Sequence, residues 1–219
     1  MSGTPDLFLL LILMLAIGFL PMIALVATSY LKIVVVLGLV RNAMGVQQVP
    51  PNLVHSALAL ILSAFIMAPV ASSAVQTIAN DKSFSTSHVT PAGLVRLVDA
   101  IQQPLAGFLL RHTPAQDREF FVTASAELWR GETTNKPEPN SLLILVPAFA
   151  VRELTRAFQI GFILYLGFIA VDLIVANIIQ AFGLSMVSPT PVAIPFKLLL
   201  FVVFDGWQRL IYALVQSYQ

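Results

Sequence analysis

The sequence predicts an all-α membrane protein, with about four long hydrophobic helices in two hairpins and a small helical extracytoplasmic insertion. Of its 219 residues, 58% are hydrophobic and only 11% are charged, whereas soluble domains are nearer half apolar and a quarter charged. Four apolar segments stand out along the chain. The charges are concentrated between the second and third of these segments: six of twelve Lys/Arg and seven of eleven Asp/Glu lie between residues 81 and 140.

The first two apolar segments form the predicted N-terminal hairpin, residues 1–78. As one helix, residues 7–40 would be roughly 51 Å long, against a hydrocarbon core of about 30 Å. We therefore expect this segment to project from the lipid or to break, with Pro21 offering a kink. The first cation is Lys32, so the N-terminus lacks the basic region of a signal peptide, and we interpret it as a retained membrane segment.

A polar turn at residues 41–52 leads to the second apolar segment, about residues 53–78. Residues 79–140 follow as a water-soluble domain with two predicted helices. The first helix opens with Thr90 as its N-cap. The second opens with Thr113 as its N-cap, with a capping box completed by Gln116.

Gly131 is the predicted stop signal of that second helix. The chain then returns to the membrane as a second hairpin, residues 141–219. A loop at 183–197 separates its two apolar segments, and three prolines fall there within seven residues: Pro189, Pro191 and Pro195. Because proline lacks the N–H of a helical hydrogen bond, we expect non-helical backbone that faces protein or a watery cavity.

The orientation follows from cations in the two short loops. Arg41 lies in the 41–52 turn and Lys197 at the end of the 183–197 loop. Short loops rich in Lys and Arg favour the cytoplasmic side. Both loops are therefore predicted to be cytoplasmic, and the 79–140 domain and both termini extracytoplasmic.

Several charges do not fit a lipid-exposed helix. Lys197, Asp205 and Arg209 interrupt the last apolar segment, and one central charge costs roughly 2.5–3.5 kcal/mol on insertion scales. We expect these charges to be buried against protein in an obligate assembly. Asp205 and Arg209, four residues apart, either neutralise each other or take part in transport. Asp172 needs a distant partner, because no cation lies within four residues. It is either half of a structural pair or a proton relay.

A second charged group, Arg152, Glu153 and Arg156, lies within the third apolar segment. We interpret it as a solvated patch at the membrane interface, with subunit docking as the alternative.

The composition excludes several function classes. The chain has no cysteine and only three scattered histidines, and its net charge is +1. It has no metal-ligand spacing, no Gly-rich phosphate loop and no nucleophile motif. We therefore expect no catalysis, no metal, no cofactor and no nucleic-acid partner.

Three blocks carry a resemblance to a known family: TSYLKIVVVLGLVRNAMGVQQVPPN (28–52), PAFAVRELTRAFQIGF (147–162) and PFKLLLFVVFDGW (195–207). They resemble the SctR/FliP family, membrane proteins of the bacterial type III secretion export apparatus. The short chain without a basic signal peptide favours the virulence branch (SctR, YscR, HrcR) over the flagellar branch, FliP.

The resemblance implies a non-enzymatic subunit of the export gate, multi-pass in the bacterial inner membrane within the secretion basal body. About five copies would assemble with SctS-like and SctT-like proteins, beside an SctU-like switch protein, and pass unfolded polypeptides. In this family a run of methionines follows the glycine that matches Gly183 and forms a pore constriction. The matching positions are Leu184, Ser185 and Met186, so this chain keeps one methionine of the run. The alternative for this stretch is a plain hairpin.

Two other functions stay open at this point. One is an ion-coupled small-solute transporter that uses Asp172 and Asp205 as proton or cation sites. The absence of an internal repeat, which such transporters often have, weighs against it. The other is a purely structural scaffold of the export apparatus.

Overall fold

The computed structural model describes residues 7–46, 51–80, 91–129, 137–184 and 186–219. These residues form eight α-helices: α1 (Leu7–Val26), α2 (Tyr30–Ala43), α3 (Asn52–Asn80), α4 (Pro91–His112), α5 (Ala115–Leu128), α6 (Leu142–Ala181), α7 (Pro189–Val203) and α8 (Gly206–Gln216). By length and composition α3 and α6 are able to cross a membrane, as is the bent pair of α7 and α8 if it forms one span. The prediction of an all-α membrane protein is confirmed.

The first apolar segment breaks between α1 and α2, and the break lies at residues 27–29. Pro21 lies inside α1, so it does not end the helix. The two hydroxyl residues at the break bond to α3: Ser29 Oγ donates to Ser63 Oγ at 3.1 Å, and Ser63 Oγ donates to Thr28 Oγ1 at 3.3 Å. The Thr28 hydroxyl also accepts from the Tyr30 N–H at 3.4 Å, and local side chain–backbone bonds of this kind compete with helical hydrogen bonding.

The core lies where α2 packs against α6. On α2 the buried residues recur at the spacing of one helical face, and they are Ile33, Val36, Leu37 and Val40. The two helices approach closely at Gly161 of α6. A Cβ added there would lie 2.3 Å from Leu39 Cδ1, so only glycine permits this packing. Leu210 and Leu214 of α8 join the same core.

Two helices of the insertion, α4 and α5, pack against α3 and α6. The predicted Thr113 cap is wrong. The N-cap position of α5 is Pro114, and no side chain caps it. Thr113 is buried, and its hydroxyl has no partner among the described residues. The predicted capping box with Gln116 is therefore wrong too. Thr90 and Gly131 lie outside the described residues.

Helix α6 ends in a glycine-dependent turn. The N–H of Gly183 donates to the Gln180 carbonyl at 2.9 Å, and the N–H of Leu184 donates to the Ile179 carbonyl at 3.2 Å. Gly183 has a φ of 71°. This pair of bonds and the left-handed glycine form a Schellman motif, which satisfies the last carbonyls of the helix.

The loop after α6 is shorter than predicted. Helix α7 begins at Pro189, so the expectation of non-helical backbone over 183–197 is wrong beyond residue 188. The first turn of a helix has N–H groups without helical partners, so Pro189 and Pro191 cost no hydrogen bond there. Pro195 lies further inside α7, where it does remove one.

The fourth apolar segment is two helices rather than one. Helices α7 and α8 meet at an angle of 61°. At the bend Asp205 is left-handed, with a φ of 50°. The next residue, Gly206, packs so closely that an added Cβ would lie 2.4 Å from Phe201 Cδ2. The left-handed residue and the close contact together fix the bend.

Candidate functional site

A buried lysine joins the two helices of the C-terminal hairpin. Lys197 of α7 is only 3% exposed. Its Nζ donates to Asp172 Oδ2 of α6 at 2.6 Å and to the Ala43 carbonyl at the end of α2 at 3.1 Å. The Asp172 side chain remains 37% exposed. Asp172 therefore has the distant partner that the sequence requires, and the pair holds three helices together.

This position of Lys197 removes one support for the predicted orientation. Lys197 is a paired, buried side chain within a helix, so it is not a loop cation of the kind that sets topology. Arg41 is then the remaining basis for a cytoplasmic turn. The orientation itself stays a prediction.

The charged group on α6 points in two directions. Glu153 is fully buried and forms an ion pair with Lys32 of α2 at 3.1 Å, so the interpretation as a solvated patch is wrong for this residue. Arg156 Nη1 lies 3.9 Å from Glu153 Oε1. Arg152 Nε lies 3.7 Å from Asp117 of α5. Both arginine side chains are about one-third exposed, and Arg152 links the insertion to the hairpin.

Tyr218 completes the buried cluster around Glu153. Its hydroxyl donates to Glu153 Oε2 and lies 3.5 Å from the Ser29 carbonyl. Lys32 Nζ lies 3.6 Å from the centroid of its ring, which is cation–π geometry. Burial raises the pKa of the Tyr218 hydroxyl, and the neighbouring Glu153 raises it further. Tyr218 is therefore a proton donor to the carboxylate and stays neutral.

Aromatic rings extend this cluster into α4. The Tyr218 ring stacks on Phe108 at 6.0 Å and meets His112 edge-on at 5.3 Å. Burial lowers the pKa of His112, and the Glu153 carboxylate only partly opposes this. The sequence interpretation missed Lys32 and Tyr218. A signal was present for the lysine, because Lys32 is a lone cation within the first apolar segment and Glu153 is a carboxylate within the third.

Asp205 and Arg209 are both exposed in this chain. The described residues hold no ion pair between them, so the alternative in which they neutralise each other is wrong for the single chain. Their burial in an assembly stays a prediction. Asp205 is the N-cap residue of α8, and its carbonyl accepts from the Arg209 N–H at 3.0 Å. Their side chains remain available to groups outside the chain.

The tip of the α6–α7 hairpin presents apolar side chains. Met186 is 100% exposed and Leu184 is 52% exposed. Ser185, the third predicted constriction residue, lies outside the described residues. The tip is anchored on one side by the Schellman turn and on the other by the proline-started first turn of α7.

The model of the FliP family matches residues 13–214. The chain belongs to the FliP family. Among its relatives, "Pathogenicity-related ORF2" of Xanthomonas campestris pv. glycines is 50% identical over 96% of both chains. "Hypersensitivity response secretion protein HrcR" of Ralstonia nicotianae is 49% identical over 96% of both. "Yop proteins translocation protein R" of Yersinia pestis is 45% identical over 100% of this chain and 99% of that protein.

Membership of the FliP family confirms the resemblance seen in the sequence, including the virulence branch, because the full-length relatives carry pathogenicity, secretion and translocation names. FliP-family proteins are components of a secretion apparatus and not enzymes. The buried charges of this FliP-family chain are therefore explained by their structural partners and not by a reaction. Within the described ranges no three His, Asp or Glu side chains come together as a metal site.

Proposed function

We propose that this chain is a core export-gate subunit of a type III secretion system, where it helps to pass unfolded polypeptides across the bacterial inner membrane. The observation that carries the proposal is the exposed apolar tip, Leu184 and Met186, on a hairpin braced by the Asp172–Lys197 pair. A flexible apolar tip on a rigid support is suited to a moving polypeptide.

The tip supplies the physical basis of a gate. Several copies of Leu184 and Met186 in a ring make an apolar constriction, which dewets and so impedes water and ions. Methionine is unbranched and adapts to irregular partners, so such a ring yields to passing side chains of different shape. The glycine turn at Gly183 and the start of α7 at Pro189 hold the tip in place.

The chain also has the surface of an assembly member. Large apolar side chains are exposed on both long helices, among them Ile61 and Phe65 on α3, and Phe162 and Ile163 on α6. Continuous exposed apolar surface marks contact with other proteins or with lipid. We propose about five copies in complex with SctS-like and SctT-like proteins, with an SctU-like switch protein as neighbour.

The transporter alternative finds less support. It requires Asp172 and Asp205 as proton or cation sites. Asp172 is held by the Lys197 ammonium at 2.6 Å, and Asp205 is exposed on a different element, at the start of α8. The Lys197 ammonium compensates the charge of Asp172, which makes this carboxylate one half of a structural pair rather than a free cation site.

Cross-linking to a secretion substrate in transit tests the proposal. The chain has no cysteine, so Met186→Cys gives a single reactive site. We expect Met186→Cys to cross-link to a substrate stalled by a folded C-terminal fusion. The control is Leu128→Cys, at another apolar and exposed position, on α5, which should not react.

The other functions give different results in the same preparation. A scaffold would assemble with its partners and show no cross-link at either position. A small-solute transporter would purify as a monomer or dimer without other chains. Either outcome would overturn the proposed gate.

A further inference from the structure

His112 ends α4 at the place where the insertion meets the rest of the protein. The centroid of its imidazole ring lies 4.6 Å from that of Phe108 and 5.3 Å from that of Tyr218. Phe108 is buried and packs in one cluster with Leu145 and Phe149 of α6. We call this group of five residues the α4 junction. It attaches the last turn of α4 to α6 and to the end of the chain.

The charged groups around His112 carry an excess of positive charge. Lys32, Arg111 and Arg156 are the cations that act on its imidazole, and Glu153 is the one carboxylate that does so among the described residues. This carboxylate already has the Lys32 ammonium at 3.1 Å and the Arg156 guanidinium at 3.9 Å. A protonated His112 would therefore be a fourth cation in a group whose single carboxylate is already shared.

The other elements near the α4 junction supply no free carboxylate. On α5, Asp117 faces Arg152 at 3.7 Å, and Arg118 donates to a neighbouring asparagine. Helix α3 packs on α4 and contains no acidic or basic residue. Its histidine, His55, lies in its first turn, three turns before the residues that contact the junction, 66–70. Nothing in these elements compensates a charge on the imidazole.

The neutral form of His112 is the one that fits the α4 junction. Burial lowers the pKa of His112, and the cations Lys32, Arg111 and Arg156 also lower it. The Glu153 carboxylate opposes this only in part, as does the carbonyl end of α4. The packed histidine therefore binds fewer protons than a free one. Packing is fully stable above the ordinary histidine pKa of about 6.5 and weakens as the pH falls through that value.

We propose that the α4 junction is an acid-sensitive contact, in which protonation of His112 weakens the packing of the insertion on α6 and on the end of the chain. The imidazole is only partly buried, so a proton reaches it from solvent. Once charged, the ring is repelled by its neighbours and gains by leaving Phe108 and Tyr218 for water. The insertion is predicted to be extracytoplasmic, so the contact would respond to the pH outside the cytoplasm. The inference goes beyond the export role, because it needs only the folded chain.

Hydrogen exchange of the full-length protein in mild detergent tests the proposal. Mass spectrometry follows the exchange at pH 7.5 and pH 5.0, with labelling times scaled to the intrinsic amide rate at each pH. At pH 5.0 the segment 105–112 should open up to about 30-fold more often, which is the limit for a histidine that titrates about 1.5 units above that pH. The segment 33–40 of α2 should keep its protection.

Two variants separate the charge of His112 from its packing. His112→Phe keeps a ring against Phe108 and Tyr218 but takes up no proton, so the segment 105–112 should be protected equally at both pH values. His112→Gln has neither ring nor charge, so the segment should be less protected than in the wild type at pH 7.5 and should not change with pH. The control is His55→Gln, at a buried histidine on α3, which should keep the acid response of the wild type.

Three results would overturn the inference. The first is equal protection of the segment 105–112 at both pH values in the wild type. The second is an acid response of the same size in the wild type and in both His112 variants, which would assign it to another group. The third is an equal loss of protection along α2, which would mean that acid unfolds the whole chain. If His112→Phe does not fold, His112→Gln still decides.

Discussion

Lys32 of α2 and Glu153 of α6 form a fully buried ion pair, with 3.1 Å between Nζ and Oε2. The pair lies where the two most closely packed helices meet. Tyr218, from beyond α8, covers it with its ring over the ammonium and its hydroxyl on the carboxylate. Two distant apolar segments and the last residues of the chain are thus fixed by one charge pair.

Removing one member of this pair should cost more than replacing both. Lys32→Met leaves Arg156, one-third exposed and 3.9 Å away, as the ion-pair partner of Glu153. We therefore expect a loss near the lower end of the about 3–5 kcal/mol that breaking a buried pair costs. The double variant Lys32→Met/Glu153→Gln leaves no net charge and should recover most of that loss. Thermal unfolding of the purified protein in detergent measures both.

The control for that comparison is Asp99→Asn, which removes an exposed carboxylate on α4 and should leave the midpoint unchanged. If the single and double variants unfold at the same temperature, the pair is not a source of stability.

The Asp172–Lys197 pair should be structural. Asp172→Asn leaves a buried ammonium, but the carboxylate is over one-third exposed, so we expect a smaller loss of about 1–3 kcal/mol. Asp172→Asn/Lys197→Met should restore assembly and secretion. Normal assembly of that double variant with no secretion would instead assign Asp172 a direct role in transport.

Gly161 and Gly167 on the same helix should respond oppositely to alanine. Gly161→Ala brings a methyl group within 2.3 Å of Leu39, and overpacking of this kind costs about 1–3 kcal/mol. Gly167→Ala has open space and should stabilise α6 by up to about 1 kcal/mol through helix propensity. Unfolding midpoints in detergent compare the two. Equal midpoints would contradict the close contact between α2 and α6.

Shortening the apolar tip should open a leak. Leu184→Ala/Met186→Ala removes the side chains that would dewet the closed constriction, so ion conductance of the assembled complex in planar bilayers should rise. Assembly should stay normal, because both side chains are exposed in the chain. Leu128→Ala on α5 is the control. Unchanged conductance with normal secretion would reduce the tip to a plain hairpin.

Thiol labelling of intact cells tests the predicted orientation. Asn135→Cys, in the predicted 79–140 domain, should react with a membrane-impermeant maleimide, whereas Gln47→Cys, in the predicted 41–52 turn, should not. The cells should express this subunit without its partner proteins, since assembly can lift segments out of the bilayer. The reverse labelling pattern would invert the topology.

The sequence by itself determined the class of the molecule. Its long apolar segments can be stable only as helices in a membrane or in an assembly, because lipid offers no partner to backbone N–H and C=O groups. The three blocks at residues 28–52, 147–162 and 195–207 determined the family, which the comparisons confirm. The sequence also indicated that Asp172 needs a distant cation, because a lone buried charge is unfavourable.

Only the tertiary structure decided which charges pair and where the segments break. Lys197 was counted as a loop cation and is a buried partner of Asp172, and Glu153 was placed in a solvated patch and lies in the core. Pairs of this kind join residues 25 and 121 positions apart, and local spacing carries no information about such contacts. Helix breaks depend likewise on distant packing, as the hydrogen bonds of Thr28 and Ser29 with Ser63 show. The free energy of the charge pairs and of the helix breaks depends on how deeply the residues are buried. That burial is known only once the helices have packed.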